Sequence, residues 1–171
     1  MTLITARPFE TPRLNLTPMT VSDAEEMTDT LSDSDLYIHI GGTPPTFEEL
    51  RTRYQRQSTG HSPDGSQAWL NWIIRAAESA ETVGYVQATV KQTGKALEAE
   101  CAWVIGAQHQ GQGIATEAAS GMLMWLTAHE VASVSCAISP NNRASEKVAN
   151  NLGFSVTDKE SDGERIWTRT L

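Results

Sequence analysis

The chain has 171 residues, of which 39% are apolar, so it is long enough to bury one substantial hydrophobic core. Its formal net charge of -8 argues against a nucleic-acid partner, because phosphate backbones are bound by basic surfaces. No apolar run reaches membrane-spanning length and the N-terminus lacks the core of a signal peptide, so we expect a cytoplasmic protein without a membrane partner.

The first third of the chain predicts one strand and two helices. Residues 11–19 alternate apolar and polar side chains, which is typical of a strand, and a short helix follows them. Residues 32–45 contain paired glycines and prolines and are predicted to form a loop, in which Leu36–Ile40 is an apolar island. Thr46 and Glu49 have the spacing of a capping box, so a second helix is expected to begin there.

The middle of the chain is predicted to be rich in strands. The runs 68–75, 83–90 and 97–105 are apolar or alternating and are separated by short polar segments, which indicates an antiparallel meander. A longer helix is expected from Ile114 onward, because apolar residues then recur at helical spacing.

The last third predicts another strand, a helix and two short strands. Residues 132–138 form a run typical of a strand, and a helix is expected from 143 to 151, ended by Gly153 as a C-terminal cap residue. Residues 154–158 and 165–170 are then predicted to be short strands. These elements together indicate one mixed α/β domain.

The histidines and cysteines do not predict a metal site. The four histidines are scattered along the chain, and the two cysteines, Cys101 and Cys136, lie in separate apolar runs. Because a protein metal site needs clustered ligands, we expect no metal, and buried reduced thiols are the simplest interpretation of the cysteines.

The most informative stretch is Gln110–Ala115, which lies between the predicted strand 97–105 and the helix that begins at Ile114. Gly111 and Gly113 allow the backbone to come close to a ligand, and the first turn of a helix has free N–H groups and a partial positive charge. Such a junction can bind a phosphate group without a cationic side chain. A strand-to-helix turn that binds no ligand is the alternative.

Two other phosphate-binding loops do not fit this stretch. A P-loop ends in Gly-Lys-Ser/Thr, whereas Gly113 is followed by Ile114 and Ala115. A dinucleotide-binding fold needs a third glycine, and Thr116 stands at that position. The stretch does match Gln/Arg-x-x-Gly-x-Gly/Ala, so it resembles the coenzyme A pyrophosphate loop of the GNAT acetyltransferase superfamily.

Two further motifs strengthen the resemblance to GNAT N-acetyltransferases, in particular to the branch of ribosomal-protein N-terminal (RimJ/RimL-type) acetyltransferases. Asn142 and Ser145, with Gly153 and Phe154 downstream, match the second motif of that branch. The opening Thr11–Leu14 also resembles its start. The similarity spans nearly the whole chain, and the order and spacing of the motifs are more specific than any one of them.

The resemblance implies a fold and a co-substrate. The fold would be α/β (α+β), with a GNAT-type mixed, mostly antiparallel central sheet of six to seven strands and about four helices on its faces, formed by residues 1–171 as a single domain. Acetyl-CoA would lie where the strand runs Trp103–Gly106 and Ser135–Ser139 splay apart. The residues expected to bind it are Trp103, Val104, Ile105, Gln110, Gly111, Gln112, Gly113, Ile114, Ala115, Thr116 and Asn142.

The resemblance also implies two catalytic residues. Glu100 matches the acidic residue that commonly acts as the general base, although Glu98 lies on the same face of the strand and is the alternative. Many superfamily members have a tyrosine as general acid where this chain has Ala149, so Ser145 is expected to hydrogen-bond the leaving thiolate instead. A purely helix-capping role for Ser145 is the competing interpretation.

The expected function is N-acyl transfer from acetyl-CoA to a primary amine, either a peptide or protein N-terminus or a small molecule. Antibiotics, polyamines and peptide toxins stay open as acceptors, and so does an acyl group longer than acetyl. A non-catalytic acyl-CoA-binding or regulatory domain is the alternative, because a fold does not determine a function. The sequence also leaves open whether the chain forms a homodimer.

Overall fold

A computed structural model describes residues 4–171, so residues 1–3 of the predicted domain lie outside it. The strands are β1 (Phe9–Glu10), β2 (Leu14–Pro18), β3 (Gln67–Ala76), β4 (Thr82–Thr93), β5 (Ala96–Ile105), β6 (Val131–Ile138), β7 (Ser155–Ser161) and β8 (Glu164–Thr170). These described strands form one eight-stranded sheet in the order β1-β2-β3-β4-β5-β6-β8-β7. Neighbouring strands are antiparallel except β5 and β6, which are parallel.

This sheet confirms the predicted fold class, and the predicted meander corresponds to β3, β4 and β5. The expected number of strands, six to seven, is too low because the sequence pattern does not reveal β1. In β1, Phe9 and Glu10 pair with Leu16 and Asn15 of β2. Two residues are too few to show the alternation by which a strand is recognised.

Five α-helices accompany the sheet in the described part of the chain: α1 (Ala24–Thr30), α2 (Tyr37–Ile40), α3 (Phe47–Gln57), α4 (Ile114–Ala128) and α5 (Arg143–Asn151). The predicted capping box begins α3, since Thr46 Oγ1 accepts from the Glu49 N–H at 3.2 Å and the Glu49 carboxylate accepts from the Thr46 N–H at 2.9 Å. Gly153 follows α5 with a φ of 78°, as expected of a C-terminal cap residue. None of the helices described is long and apolar enough to cross a bilayer.

The helix α2 corrects the sequence prediction, which expected only a loop over residues 32–45 and about four helices in all. The segment contains a 3₁₀ turn, Ser34–Leu36, followed directly by the single turn of α2. The Asp33 carboxylate caps the 3₁₀ turn, and the Tyr37 hydroxyl donates to the Leu31 carbonyl oxygen at 2.8 Å. A helix of 4 residues is too short to show helical spacing in the sequence.

The sheet carries helices on both faces, and each face has its own hydrophobic core. The larger core packs α4 and α5 against one face, and the smaller core packs α1 and α3 against the other. Successive side chains of β3 belong alternately to the two cores: Trp72 and Ile74 lie in the larger core and Ile73 in the smaller. Burial of both faces explains why this strand is apolar along most of its length.

The parallel pairing of β5 and β6 ends before either strand does. Glu100 and Ser135 are the last paired residues, yet β5 continues to Ile105 and β6 to Ile138. Beyond the last pair, the backbone N–H and C=O groups on the two facing edges have no partner from the opposite strand. A gap therefore opens in the middle of the sheet.

The other edge of β5 stays closely paired with β4 along this open stretch. Gly84 of β4 pairs with Ile105, and a Cβ atom on Gly84 would lie 2.2 Å from the carbonyl oxygen of Val104. Because that oxygen belongs to the backbone, a larger residue at this position would have to push the two strands apart. Glycine thus allows β4 to support the end of β5 that borders the gap.

Candidate active site

A cavity of about 790 Å³ lies beside the end of β5 that borders this gap. Its walls come from the end of β5, the connection to α4, the first turns of α4 and α5, and the segment that contains α2. The predicted coenzyme-binding residues that line it are Trp103, Val104, Ile105, Gln110, Gly111, Gly113, Ile114, Ala115, Thr116 and Asn142. The volume lies in the upper part of the range of small-molecule and cofactor sites, roughly 300–1,000 Å³.

The N-terminus of α4 is suited to bind an anion. Gly113 is its N-cap residue, with a left-handed φ of 76°, and supplies no side-chain cap. The N–H groups of the first turn therefore have no capping side chain, and Gly113 and the first residues of α4 line the cavity. At the start of the loop, the Gln110 side-chain amide donates to the Ile105 carbonyl oxygen at 3.1 Å, which anchors the loop to β5.

Gln112 is the predicted coenzyme residue that does not line the cavity. Its carbonyl oxygen accepts a hydrogen bond from Arg13 Nη1 at 2.9 Å. Arg13 Nε also donates to Glu117 Oε2 at 2.6 Å, and the Thr11 hydroxyl donates to Glu117 Oε1 at 2.7 Å. The residues just before β2 thus hold the loop and the first turn of α4 in place.

This contact could not be predicted from the sequence. The opening Thr11–Leu14 was noted only through resemblance, because no local pattern indicates that Arg13 and Glu117 meet across 104 positions of the chain. The pairing also matters electrostatically, since a free carboxylate in the first turn of α4 would repel an anion. Partial burial acts to raise the pKa of Glu117, but hydrogen bonds from Thr11 and Arg13 outweigh it and hold the pKa below its ordinary value. The negative charge is therefore present and engaged with Arg13.

A second cavity, of about 420 Å³, adjoins the first. The residues that line both cavities are Ile40, Trp103, Val104, Asn142 and Ser145. The rest of its wall comes from α3, β4, β5, β6, β8 and the residues around α2. The two cavities therefore meet between the end of β5, the start of α5 and Ile40.

The two candidate base residues occupy different positions relative to this second cavity. Glu100 is exposed and lines it. Glu98 lies one pleat repeat earlier, lines neither cavity, and accepts a hydrogen bond from the Thr93 hydroxyl at 3.0 Å. Of the pair, only Glu100 therefore lines a cavity, and it lines the smaller one.

Asn142 and Ser145 lie together on the first turn of α5. The Asn142 side-chain oxygen accepts from the Ser145 backbone N–H at 3.2 Å, so Asn142 is the residue that caps this helix. Ser145 contributes its backbone N–H to that cap, and the residue lines both cavities. Ala149, where many relatives have a tyrosine, is fully buried.

Cys101 and Cys136 follow directly after the last paired residues of β5 and β6 and are both buried and reduced. Burial, together with the nearby charge of Glu100, raises the pKa of the Cys136 thiol to about 12, and burial raises the pKa of Cys101 as well. Both thiols are therefore protonated and poor nucleophiles at neutral pH. Residues 4–171 hold no cluster of three or more His, Cys, Asp or Glu side chains suited to a metal ion.

Comparisons with known proteins show which family and which folds this chain resembles. Residues 13–155 match the profile of the acetyltransferase (GNAT) domain family. No curated protein sequence gives a significant match. Among solved structures, an acetyltransferase of the GNAT family from Bacillus anthracis is similar with a TM-score of 0.76 and 19% identity, over 96% of this chain and 98% of that chain.

Two similar structures contain the coenzyme. RimL, a ribosomal L7/L12 alpha-N-protein acetyltransferase in complex with coenzyme A, has a TM-score of 0.80 and 16% identity, over 96% of this chain and 98% of that chain. The microcin C7 self immunity acetyltransferase MccE, in complex with acetyl-CoA and AMP, has a TM-score of 0.75 and 14% identity, over 94% of each chain. At sequence identities this low, the similarity shows a shared fold and no more.

The loop allows a test of anion binding that leaves packing unchanged. Gly111 has a φ of 73° and no heavy atom within 4 Å of its Cβ position, so aspartate and asparagine should be accommodated equally. Gly111→Asp adds a negative charge beside the N-terminus of α4, and Gly111→Asn is the uncharged control. We expect coenzyme A to bind about tenfold or more weakly to the aspartate variant than to the asparagine variant. Calorimetry that gives equal affinities would contradict a pyrophosphate site here.

Proposed function

The chain belongs to the GNAT acetyltransferase family, and from this we propose that it transfers an acetyl group from acetyl-CoA to a primary amine. The larger cavity would hold the coenzyme and the smaller cavity the acceptor. The observation that carries the proposal is their common boundary, where Ser145 lines both cavities and Glu100 lines the smaller. A transfer between two substrates needs such a boundary, because the reacting groups must meet in a defined orientation.

The larger cavity fits coenzyme A on chemical grounds. The N-terminus of α4 offers N–H donors to a pyrophosphate, and Arg13 Nη2 lies 3.5 Å from the Cβ position of Gly113, which adds positive charge. The open edge of β5 near Val104 offers peptide groups to the amide-containing pantetheine arm. RimL and MccE, whose structures contain coenzyme A and acetyl-CoA, share this fold, which supports the assignment.

Acetyl-CoA supplies a thioester whose carbonyl carbon accepts the amine nitrogen. The protein must then take a proton from the amine, stabilise charge on the carbonyl oxygen and assist the departing sulfur. We assign the first task to Glu100, acting directly or through a water, because it lines the acceptor cavity and makes no ion pair with another described residue. The nitrogen loses one proton to Glu100, which releases it to solvent, and the departing thiolate gains one proton from solvent, so the protons balance.

We assign the sulfur to Ser145. Its side chain lies at the boundary of the two cavities, and the helix cap is made by Asn142 rather than by the serine hydroxyl. The hydroxyl is therefore available to donate to the departing thiolate. Because a serine hydroxyl is a weak acid, its contribution should be a hydrogen bond rather than full proton transfer.

A panel of amines tests the proposed activity against its alternative, a domain that binds acyl-CoA without catalysis. RimL is named for the α-amine of a ribosomal protein and MccE for immunity to a microcin, so the panel should contain peptides and small amines. We expect release of the coenzyme A thiol with at least one amine, and mass spectrometry should find one acetyl group on that amine. Tight binding of acetyl-CoA without release in any reaction would favour the binding domain.

Glu100→Gln tests the general base. The amide keeps the size of the side chain but cannot accept the amine proton, so turnover should fall by roughly 10²-fold while acetyl-CoA affinity stays nearly unchanged. Glu98→Gln is the matched control, two residues away on the same face. If the control loses activity instead, the base is Glu98. If neither variant loses activity, the amine loses its proton in solvent before it binds.

Ser145→Ala tests the contact with the thiolate. We expect turnover to fall by about 10- to 100-fold, and the melting temperature to change little because Asn142 retains its cap on the backbone N–H. Ser145→Thr keeps the hydroxyl and should retain most of the turnover. A variant that melts earlier but turns over at the wild-type rate per folded molecule would show that Ser145 is a structural residue.

A further inference from the structure

The smaller cavity has an unusual combination of charges. We propose that it selects an acceptor amine that also carries an anionic group, a carboxylate or a phosphate, and that Arg53 binds this group. The inference rests on the proposed acetyl transfer and names the class of acceptor. Arg53, Glu100 and Glu164 line this cavity together.

Arg53 is free to bind a ligand. It lies on α3, whose buried residues Leu50 and Tyr54 hold the helix against the sheet. The guanidinium makes no ion pair with any residue between 4 and 171, whereas Arg13 and Arg75 each pair with a carboxylate. The charge of this exposed side chain is therefore not neutralised by a carboxylate in the described part of the chain.

The phenols beside Arg53 do not neutralise it. Tyr37 and Tyr85 line the same cavity. Burial raises the pKa of both phenols by more than the charge of Arg53 lowers it. Both phenols are therefore neutral at pH 7, and the Tyr37 hydroxyl already donates to the Leu31 carbonyl oxygen. The positive charge of Arg53 is left for a ligand to balance.

Two acidic residues line the same cavity. Glu100 comes from β5, and the half-buried Glu164 comes from β8. Neither carboxylate forms an ion pair within the described part of the chain. An amine would approach Glu100, because it is the proposed base. A molecule that carries both an amine and an anion therefore matches the charges of this lining.

The same arrangement disfavours polyamines. A second ammonium group would lie against Arg53 and would be repelled by it. The volume of about 420 Å³ suits a small molecule or the first residues of a peptide. Free amino acids, phosphorylated amines and peptides with an acidic residue near the N-terminus all satisfy the charge requirement.

The experiment compares amines that differ only in the anionic group. Glycine, β-alanine and 5-aminovalerate are each assayed against their carboxamides, O-phosphoethanolamine is assayed against ethanolamine, and putrescine represents a second cation. The measured quantity is kcat/KM from release of the coenzyme A thiol. The carboxylate pairs and the phosphate pair distinguish the two anion chemistries. The series of chain lengths tests which separation of amine and anion best fits the acidic residues and Arg53.

Arg53→Gln is the variant that tests the inference. We expect the ratio of kcat/KM between anionic and uncharged partners to fall by roughly 10- to 100-fold relative to wild type. Because the same two amines are compared in both proteins, differences in their intrinsic reactivity cancel. Arg56→Gln is the matched control, since Arg56 is exposed on the same helix, lies outside the cavity, and should leave the ratio unchanged.

The outcomes separate this inference from the proposed function. If the wild type acetylates amines but Arg53→Gln leaves the ratio unchanged, the anion site is wrong and the transferase proposal stands. If no amine is acetylated, the transferase proposal fails, and calorimetry of O-phosphoethanolamine and 5-aminovalerate decides the anion site. Binding that is weaker in Arg53→Gln than in wild type supports the site. Equal affinity in both proteins, or no binding to wild type, overturns it.

Discussion

The early end of the pairing between β5 and β6 is the constraint on which the candidate site depends. Up to Glu100 and Ser135 the two strands share backbone hydrogen bonds, and beyond them the facing edges are open. Buried backbone groups must find partners, so an open edge inside a sheet is stable only if a ligand or water satisfies it. The gap therefore creates both the space for a ligand and a need for hydrogen-bonding groups in that ligand.

An acidic chain that binds an anionic coenzyme must rely on local attraction. The net charge of -8 gives a field that opposes coenzyme A at long range, although salt screens it beyond about 8 Å at physiological ionic strength. Close to the loop, the N-terminus of α4 and Arg13 provide the positive potential. Arg13 also pairs with Glu117 and so offsets the charge of the carboxylate nearest to the loop. The residues before β2 therefore contribute to the electrostatics of the loop as well as to its position.

The parts of the structure that could be predicted are those that local patterns describe. The capping box of α3, the meander and the bounds of α5 follow from spacing within a few residues, and they are confirmed. The two-residue strand β1 and the single turn α2 were missed because they are shorter than any periodic signal. The motif of the glycine loop could be recognised, but the contact of Arg13 with Gln112 could not, since it depends on tertiary packing.

The same distinction explains why the acceptor is harder to infer than the coenzyme. The coenzyme side of the site is built largely from one continuous segment that runs from the end of β5 into α4. The acceptor side takes single residues from separate elements, such as Arg53 from α3, Tyr85 from β4 and Glu164 from β8. Because Arg53 is exposed, whereas Leu50 and Tyr54 are the buried residues of α3, residue 53 can change its charge without disturbing the smaller core. The choice of acceptor can therefore vary while the fold and the coenzyme loop stay the same. We expect it to depend on the charge at position 53.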